Sequence, residues 1–343
     1  MIKETTEVEN YYEVGTKEDI VISSSILKHI CPEQGGSPQQ FLESFEKEEE
    51  KTESKWLRTG KLIHKWAEDK ENFHVAAVAK PAEKLGLVAD GIIDWVRGNG
   101  EQLSDQLYLD IARKFSYQNN YKDETLIKTV KTGAEEYILE VLDSEKNNKI
   151  FICEAEREVI ECGCSSIQKH PIARELLFLQ DNDFSDCKTF KECAIFWEFI
   201  INGTVIKAKA LLDDVSINFE KKKIIINDLK TTSGGAYNYL GTFKSYRTYR
   251  QLAFYKIAIK NWAKQQGISL EGFTFEYHVI VVETNKLSQC VVWQVTEEWI
   301  EKGTSEIKSL LNRIATHIDD NQWNYSVEEM LNNHKILLPF EEN

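Results

Sequence analysis

Residues 204–230 form two apolar, β-branched-rich runs separated by a polar turn centred between Glu220 and Lys221. That pattern predicts an antiparallel hairpin. Ahead of it, Glu192 to Ile201 is an apolar, aromatic run that turns at Asn202-Gly203, a strong hairpin signal, so three antiparallel strands follow one another. Phe273 to Glu283 and Cys290 to Val295 predict two more strands. Helical periodicity marks Trp56 to Glu68, Leu107 to Leu142 with a break near Gln118-Asn119-Asn120, His170 to Leu179 opening at Pro171, Arg247 to Gln265 ending at Gly267, and Thr296 to Ile318. Ser23 to Ile30 predicts a short helix stopped by Pro32, and Glu33 to Pro38 a turn. Phe41 to Lys55 reads as a solvated helix face, Phe73 to Ala79 as a strand, and Asn182-Asp183 opens a loop. Phe151 to Ile160 alternates as a strand carrying Glu154, Glu156 and Glu158 on one face, and the apolar pattern of Leu85 to Val96 fits either kind of element.

The hairpin has a chemical consequence. With its turn between Glu220 and Lys221, pairing sets Asp213 opposite Asp228, about 5.5 Å between Cα atoms. Lys230 falls on the same face as Asp228, while Leu229 points the other way. Two facing carboxylates repel unless a cation or a shared proton sits between them. A hard divalent ion such as Mg²⁺ or Mn²⁺ suits two carboxylates plus water and keeps positions open for a phosphate oxygen and a nucleophilic water. Lys230 would supply positive charge as a transition state becomes more anionic. An isolated Asp-x-Lys is also common as ordinary strand-end residues beside a solvated lysine.

Asp213 followed by Asp228-Leu229-Lys230 resembles the PD-(D/E)xK nuclease core. Gln251 with Tyr255, and Gly60 with His64, resemble the additional motifs of its RecB-like branch. Ile22-Ser23-Ser24-Ser25-Ile26-Leu27-Lys28, then Cys31-Pro32 and Thr59-Gly60-Lys61-Leu62-Ile63-His64, is similar to the start of phage RecE-type (exonuclease VIII) nuclease domains. The resemblance runs from about residue 22 to residue 295, with its specificity in these short motifs. The family often has proline before the first aspartate; here Leu212 stands there, which leaves Asp213 and Asp214 as alternatives.

The resemblance implies an α/β fold: a restriction-endonuclease-like mixed sheet flanked by helices, with a helical N-terminal portion. It implies a polar tail over 1–21, one nuclease domain over 22–320 (a mostly helical part, 22–150, carrying His64, and a sheet core, 151–320), and a tail over 321–343. It implies that Asp213, Asp228, the Leu229 carbonyl and His64 hold one or two Mg²⁺ or Mn²⁺ ions, that Gln251 and Tyr255 line the site, and that Glu192 supports the metal or a water. A packed helical histidine and an edge-strand acid are the plain readings of His64 and Glu192. The implied activity is 5′-to-3′ exonuclease digestion of linear duplex DNA, leaving a 3′ strand for a single-strand annealing protein, carried out by a ring-shaped homo-oligomer. Alternatives are a single-strand or structure-specific nuclease, and a protein that binds DNA ends or a recombination partner without cutting.

Composition narrows the setting. The 343 residues carry a net charge of −14, which argues against a general nucleic-acid coat protein. Yet Leu229 to Leu270 holds seven basic residues and no Asp or Glu, a basic stretch abutting the acid pair in which Lys244, Arg247 and Arg250 are the expected phosphate contacts. Seven cysteines without a dense framework fit a reducing cytosol, bacterial or of a phage-infected host. Only Cys290 follows the core, so no iron–sulfur cluster is expected. No apolar run is long enough to span a membrane, and the acidic N-terminus lacks the apolar region of an export signal.

Overall fold

The structure is a computed structural model that describes residues 11, 15–46, 55–100, 102–178, 187–285 and 288–336. In chain order its elements are β1 (Val21–Ile22), 3-10 turns at Ile26–Ile30 and Pro32–Gln34, α1 (Pro38–Glu43), α2 (Lys55–Glu68), β2 (Phe73–Val75), α3 (Glu83–Asn99), α4 (Asp105–Lys114), α5 (Asp123–Lys146), β3 (Ile150–Ile152), α6 (Glu154–Lys169) and α7 (Pro171–Phe178). The long strands β4 (Cys187–Ile201), β5 (Thr204–Asn218) and β6 (Lys223–Thr232) follow, then α8 (Leu240–Ser245), α9 (Thr248–Gln265), β7 (Thr274–Glu283), β8 (Cys290–Val295), α10 (Glu297–Asp320) and α11 (Val327–Leu331). The chain divides into two compact units, one of residues 53–166 with 284–288 and one of the remainder. The loop expected at Asn182-Asp183, most of the 1–21 segment and the end of the C-terminal tail lie outside the described residues.

In the helical unit, α3, α4 and α5 bury Val88, Ile92, Tyr108, Ile111, Leu126, Val130 and Ile138 against one another. The apolar segment 85–96 is therefore helix, as its burial on one stripe requires. The break between α4 and α5 is closed by Arg113, which donates to the carbonyls of Asn119 and Tyr121 and to the Asp123 carboxylate. β2 and β3 pair in parallel beside these helices. The strand expected over Phe151 to Ile160 stops at Ile152, and Glu154 opens α6. Glu154 and Glu156 sit in the first turn, where unpaired backbone N–H groups favour negative charge. Glu156 accepts the Cys153 N–H at 3.0 Å and the Arg58 guanidinium at 2.7 Å. Alternation over five residues was outweighed by this capping.

The other unit is built on a mixed six-stranded sheet. β5 is its axis: along one edge it pairs antiparallel with β4, and its other edge pairs first with β1, in parallel at Lys207 and Ala208, and then antiparallel with β6. β6 pairs in parallel with β7, which pairs antiparallel with β8. The β4–β5 turn is Asn202-Gly203, both at positive φ (51° and 95°), the two-residue geometry that Asn-Gly adopts at least cost. The β6-to-β7 crossover is made by α8 and α9, and α9 lies over β4, β5 and β6. Its buried face, Leu252, Ala253, Phe254, Tyr255, Ala258 and Ile259, joins one core with Ile206, Ala208, Ile224 and Ile226.

α10 packs on α9 through Gly303, where a Cβ would lie 2.7 Å from the Tyr249 carbonyl oxygen and 2.9 Å from both the Ala253 Cβ and the Arg250 Cα. Only a residue without a side chain allows this approach. Gly303→Ala should therefore destabilise the protein by about 1–3 kcal/mol even though alanine is the better helix former. Urea unfolding checks this; an unchanged or raised midpoint would show that the helices are not held this close.

Candidate nuclease site

The β5–β6 ladder has the register expected from its turn: Asn218 faces Lys223 and Asp214 faces Asn227. Asp213 and Asp228 are the next opposed positions, one step past the last paired rung. Across the other edge, Glu192 stands opposite Asp213, between the rungs Lys191–Asp214 and Cys193–Leu212, and is itself unpaired in the ladder. Three acids thus lie in a row over three strands. Glu192 has φ +44°, a conformation an unbranched residue enters only under constraint. Core-facing residues show why. Ile206, Ala208, Ala210 and Leu212 of β5 alternate strictly, then the pattern resumes at Val215 and Ile217, one position out of step. β4 slips at the matching place, from Trp197, Ile195 and Cys193 to Phe190. The kink rotates both strands together and turns Asp213 out of the apolar alternation.

The side chains meet as follows. Lys230 Nζ donates to Asp228 Oδ1 at 2.7 Å, and the Leu229 N–H donates to Asp213 Oδ2 at 3.2 Å. Asp213 and Asp228 are in direct side-chain contact. Asp228 is fully buried, Lys230 is 30% exposed, and the Asp228 Oδ2 atom has no hydrogen-bond partner. Burial raises both carboxyls above their usual range; Lys230 opposes that rise, and at Asp228 the neighbouring Asp213 charge adds to it, bringing Asp228 to about 7. Burial also works against the Lys230 ammonium, but Asp228 and Asp213 outweigh it and hold the amine protonated above its ordinary value. Asp214 faces away from this cluster: it is buried, accepts from Asn227 Nδ2 at 2.8 Å, and Asn227 in turn meets His278 Nδ1 at 3.2 Å. Of the two alternatives at the first acid, Asp213 is the one beside Asp228.

From α9, Gln251 Nε2 donates to the Tyr255 hydroxyl at 2.6 Å, the i, i+4 pair expected from one helix face. Burial, and then the negative charge of Asp213 and Asp228, push the Tyr255 phenol well up, so it stays neutral. Tyr239 is 4% exposed; burial pushes its phenol up, and the Lys230 and Asp228 charges lie close enough to act on it. The sequence marks it only as one tyrosine in a Tyr-rich segment. No periodic signal separates it from exposed Tyr237 and Tyr246, since all three lie in the connection between β6 and α9.

The remaining expected residues have the following surroundings, each within its own unit. His64 is on α2 of the helical unit, half-buried. Arg250 is 2% exposed and donates to Gln34 Oε1 from α9, so it ties the loop after β1 to the helix instead of projecting toward solvent. Arg247 donates to the Tyr249 hydroxyl and to Glu306 Oε1, each at 2.6 Å, and Lys244 is exposed. The seven-residue basic stretch is thus not one surface: Lys256 pairs with Glu297, and Lys230 with Asp228.

Among the described residues no three His, Cys, Asp or Glu side chains converge as a full ligand set. Two carboxylates in contact, one with a buried oxygen lacking any partner, nevertheless fit a hard cation that takes its other ligands from a main-chain carbonyl, water and substrate. Because the folded state holds protons on these acids that the unfolded chain has lost, their contribution to stability falls as pH rises from the ordinary carboxylate range through about 7. Asp213→Asn should therefore raise the melting temperature in EDTA, by an amount equivalent to about 1 kcal/mol at pH 8 and less at pH 5. Melting curves at the two pH values check this; equal shifts would show that the two carboxylates do not share a charge.

No family profile and no curated protein matches this sequence. Among solved structures, a protein of Eubacterium rectale named a "Putative exonuclease" is similar over 100% of this chain and 97% of its own, at 12% identity and a TM-score of 0.50. A second, SSO0001, overlaps 65% of this chain and 84% of its own at 14% identity, with a TM-score of 0.24. No described helix is long and apolar enough to cross a membrane. What the first likeness shows is a shared fold: a mixed sheet with flanking helices, of the kind found in a protein named as an exonuclease.

Proposed function

We propose that this chain is a divalent-cation-dependent deoxyribonuclease with a PD-(D/E)xK site formed by Asp213, Asp228 and Lys230. One observation carries the reading: Asp228 and Lys230 of β6 meet Asp213 of β5 in a buried cluster at the end of a ladder, with one carboxylate oxygen unpaired. Like-charged groups are built into such burial where a cation is to be held.

A bound Mg²⁺ or Mn²⁺ would supply Lewis acidity toward the scissile phosphate and lower the pKa of water at the site. The chain's own groups do the rest. Lys230 remains an ammonium and meets the charge that accumulates on the phosphate as the transition state forms. The Leu229 N–H fixes the Asp213 carboxylate, so that the acid is oriented before substrate arrives. Tyr255, neutral and held by Gln251, covers the acids without adding charge. Glu192 adds negative potential at Asp213 and stands in line to orient a water. The finer reading, exonuclease action from 5′ ends of linear duplex that leaves a 3′ strand for an annealing partner, is supported by the RecE-type motif pattern. His64 as a further ligand and a ring-shaped oligomer have that same support.

Lys230→Ala should lower cleavage by roughly 100-fold or more while DNA affinity in EDTA is retained; parallel loss of both would remove the lysine from catalysis. Linear and circular duplexes, end-labelled where they have ends and incubated with Mn²⁺ or EDTA, test the activity itself. Digestion of linear DNA alone, with Mn²⁺ alone, is expected; cutting of circles would replace exonuclease with endonuclease, and no cutting of either would refute the assignment.

A further inference from the structure

A separate cavity of about 680 Å³ opens in the sheet-bearing unit, lined by Glu33, Gln34, Lys244, Ser245, Arg247, Tyr249, Trp299 and Lys302. Its volume falls within the range of small-ligand sites, roughly 300–1,000 Å³. We propose that it is a nucleotide-binding site, taking a phosphate on Lys244, Arg247 and Lys302 and the base against Trp299, which the buried Tyr249 ring backs.

Two kinds of group converge here. The Lys302 ammonium lies 5.3 Å from the Tyr249 ring centre and 5.4 Å from that of Trp299, and Lys244 lies 5.9 Å from Trp299. Neither lysine has a carboxylate partner among the described residues. Two ammoniums held over aromatic faces beside a guanidinium make a surface that offers both charge for a phosphate and a flat wall for a base. Arg247 is pre-positioned: Glu306 and Tyr249 fix its guanidinium, and its backbone is held at φ +54°.

A third observation is the buried charge behind the wall. Arg250 is 2% exposed; it donates to Gln34, a lining residue, and lies beside the Cys31 sulfur, while its Nε and Nη1 atoms meet no oxygen acceptor. Its nearest acid, Glu306 Oε2, is 3.9 Å away and has no hydrogen-bond partner. An incompletely paired buried guanidinium leaves positive potential for an anion to offset. Glu33 and Glu306 oppose that potential, but four cations face these two acids. Glu33 is held ionised by its bond from the Cys31 thiol, and on the rim it can accept from a base amino group.

The ligand is a phosphorylated nucleoside, either free or as one unit of a DNA strand. The inference rests on the nuclease reading for the identity of that ligand and not on cleavage, so the test excludes divalent metal. Full-length protein in EDTA is titrated calorimetrically with dTMP, with a dT12 oligonucleotide and with inorganic phosphate. Binding of dTMP at least about tenfold tighter than phosphate is expected, and Lys302→Glu and Lys244→Glu should each weaken it about tenfold or more. Both residues are exposed, so both variants should fold. Lys260→Ala, at an exposed lysine of α9 outside the cavity lining, should bind dTMP as the wild type does. If dT12 loses affinity and salt dependence in the two variants along with dTMP, the bound unit is part of a strand; if dTMP alone responds, the free nucleotide is the ligand. Equal binding by wild type and variants, no dTMP binding, or phosphate binding as tight as dTMP would each overturn the proposal. Intact dTMP binding by a protein that cuts no DNA would sink the nuclease reading and leave this site standing.

Discussion

Two carboxylates in contact inside a sheet are the constraint on which the rest depends. Charges about 4 Å apart repel by roughly 4 kcal/mol at the effective dielectric of a protein near its surface, too much for a marginally stable chain to leave uncompensated. Lys230 cancels part of it, and the Leu229 N–H fixes one acid. The remainder is absorbed by a scaffold that cannot relax. β6 is paired with β5 on one side and along its whole length with β7 on the other, and α9 seals the layer with Tyr255. A strand free to slide by one residue would carry Asp228 and Lys230 together to the face away from Asp213.

The register of the acid pair was legible in the sequence because a single turn determines it. Once the turn lies between Glu220 and Lys221, Asp213 must oppose Asp228. Asn202-Gly203 fixed the preceding turn in the same way, and there too the structure follows the pattern. What alternation concealed is the slip near Asp213 and Glu192. Period-two reading assumes an unbroken pleat, and a strand kinked in step with its neighbour violates it without leaving any mark of composition. The acid-rich segment from Glu154 misled for a related reason, because Glu at helix starts and Glu on an exposed strand face have the same short-range spacing.

Charge was legible as a total along the chain but not as a surface. Leu229 to Leu270 looks like one basic patch, yet folding sends Arg250 inward to Gln34, gives Lys256 to Glu297 and gives Lys230 to Asp228. The cationic cavity is assembled instead from three distant segments: the loop after β1, the α8–α9 junction, and the first turns of α10. Trp299 and Lys302 reach it because Gly303 lets α10 lie directly against α9. A glycine in mid-helix is visible in the sequence, but the partner it admits is not.

Burial links the two properties of the acid cluster. Withdrawing Asp213 and Asp228 from water raises their affinity for a proton, and for the same electrostatic reason raises their affinity for any cation that can replace it. Protons and any cation bound there would therefore compete for one deficit of charge. Lys230 cannot fill that deficit, since one ammonium faces two carboxylates and Glu192 adds a third acid in line. An arrangement that merely stabilised the fold would have ended with apolar residues at this rung, as it does at Val215 and Ile226, the next pair on the same face. The acids therefore stand where packing alone would not put them, in the part of the sheet that also holds Glu192 at positive φ, and that cost is what the proposed chemistry would explain.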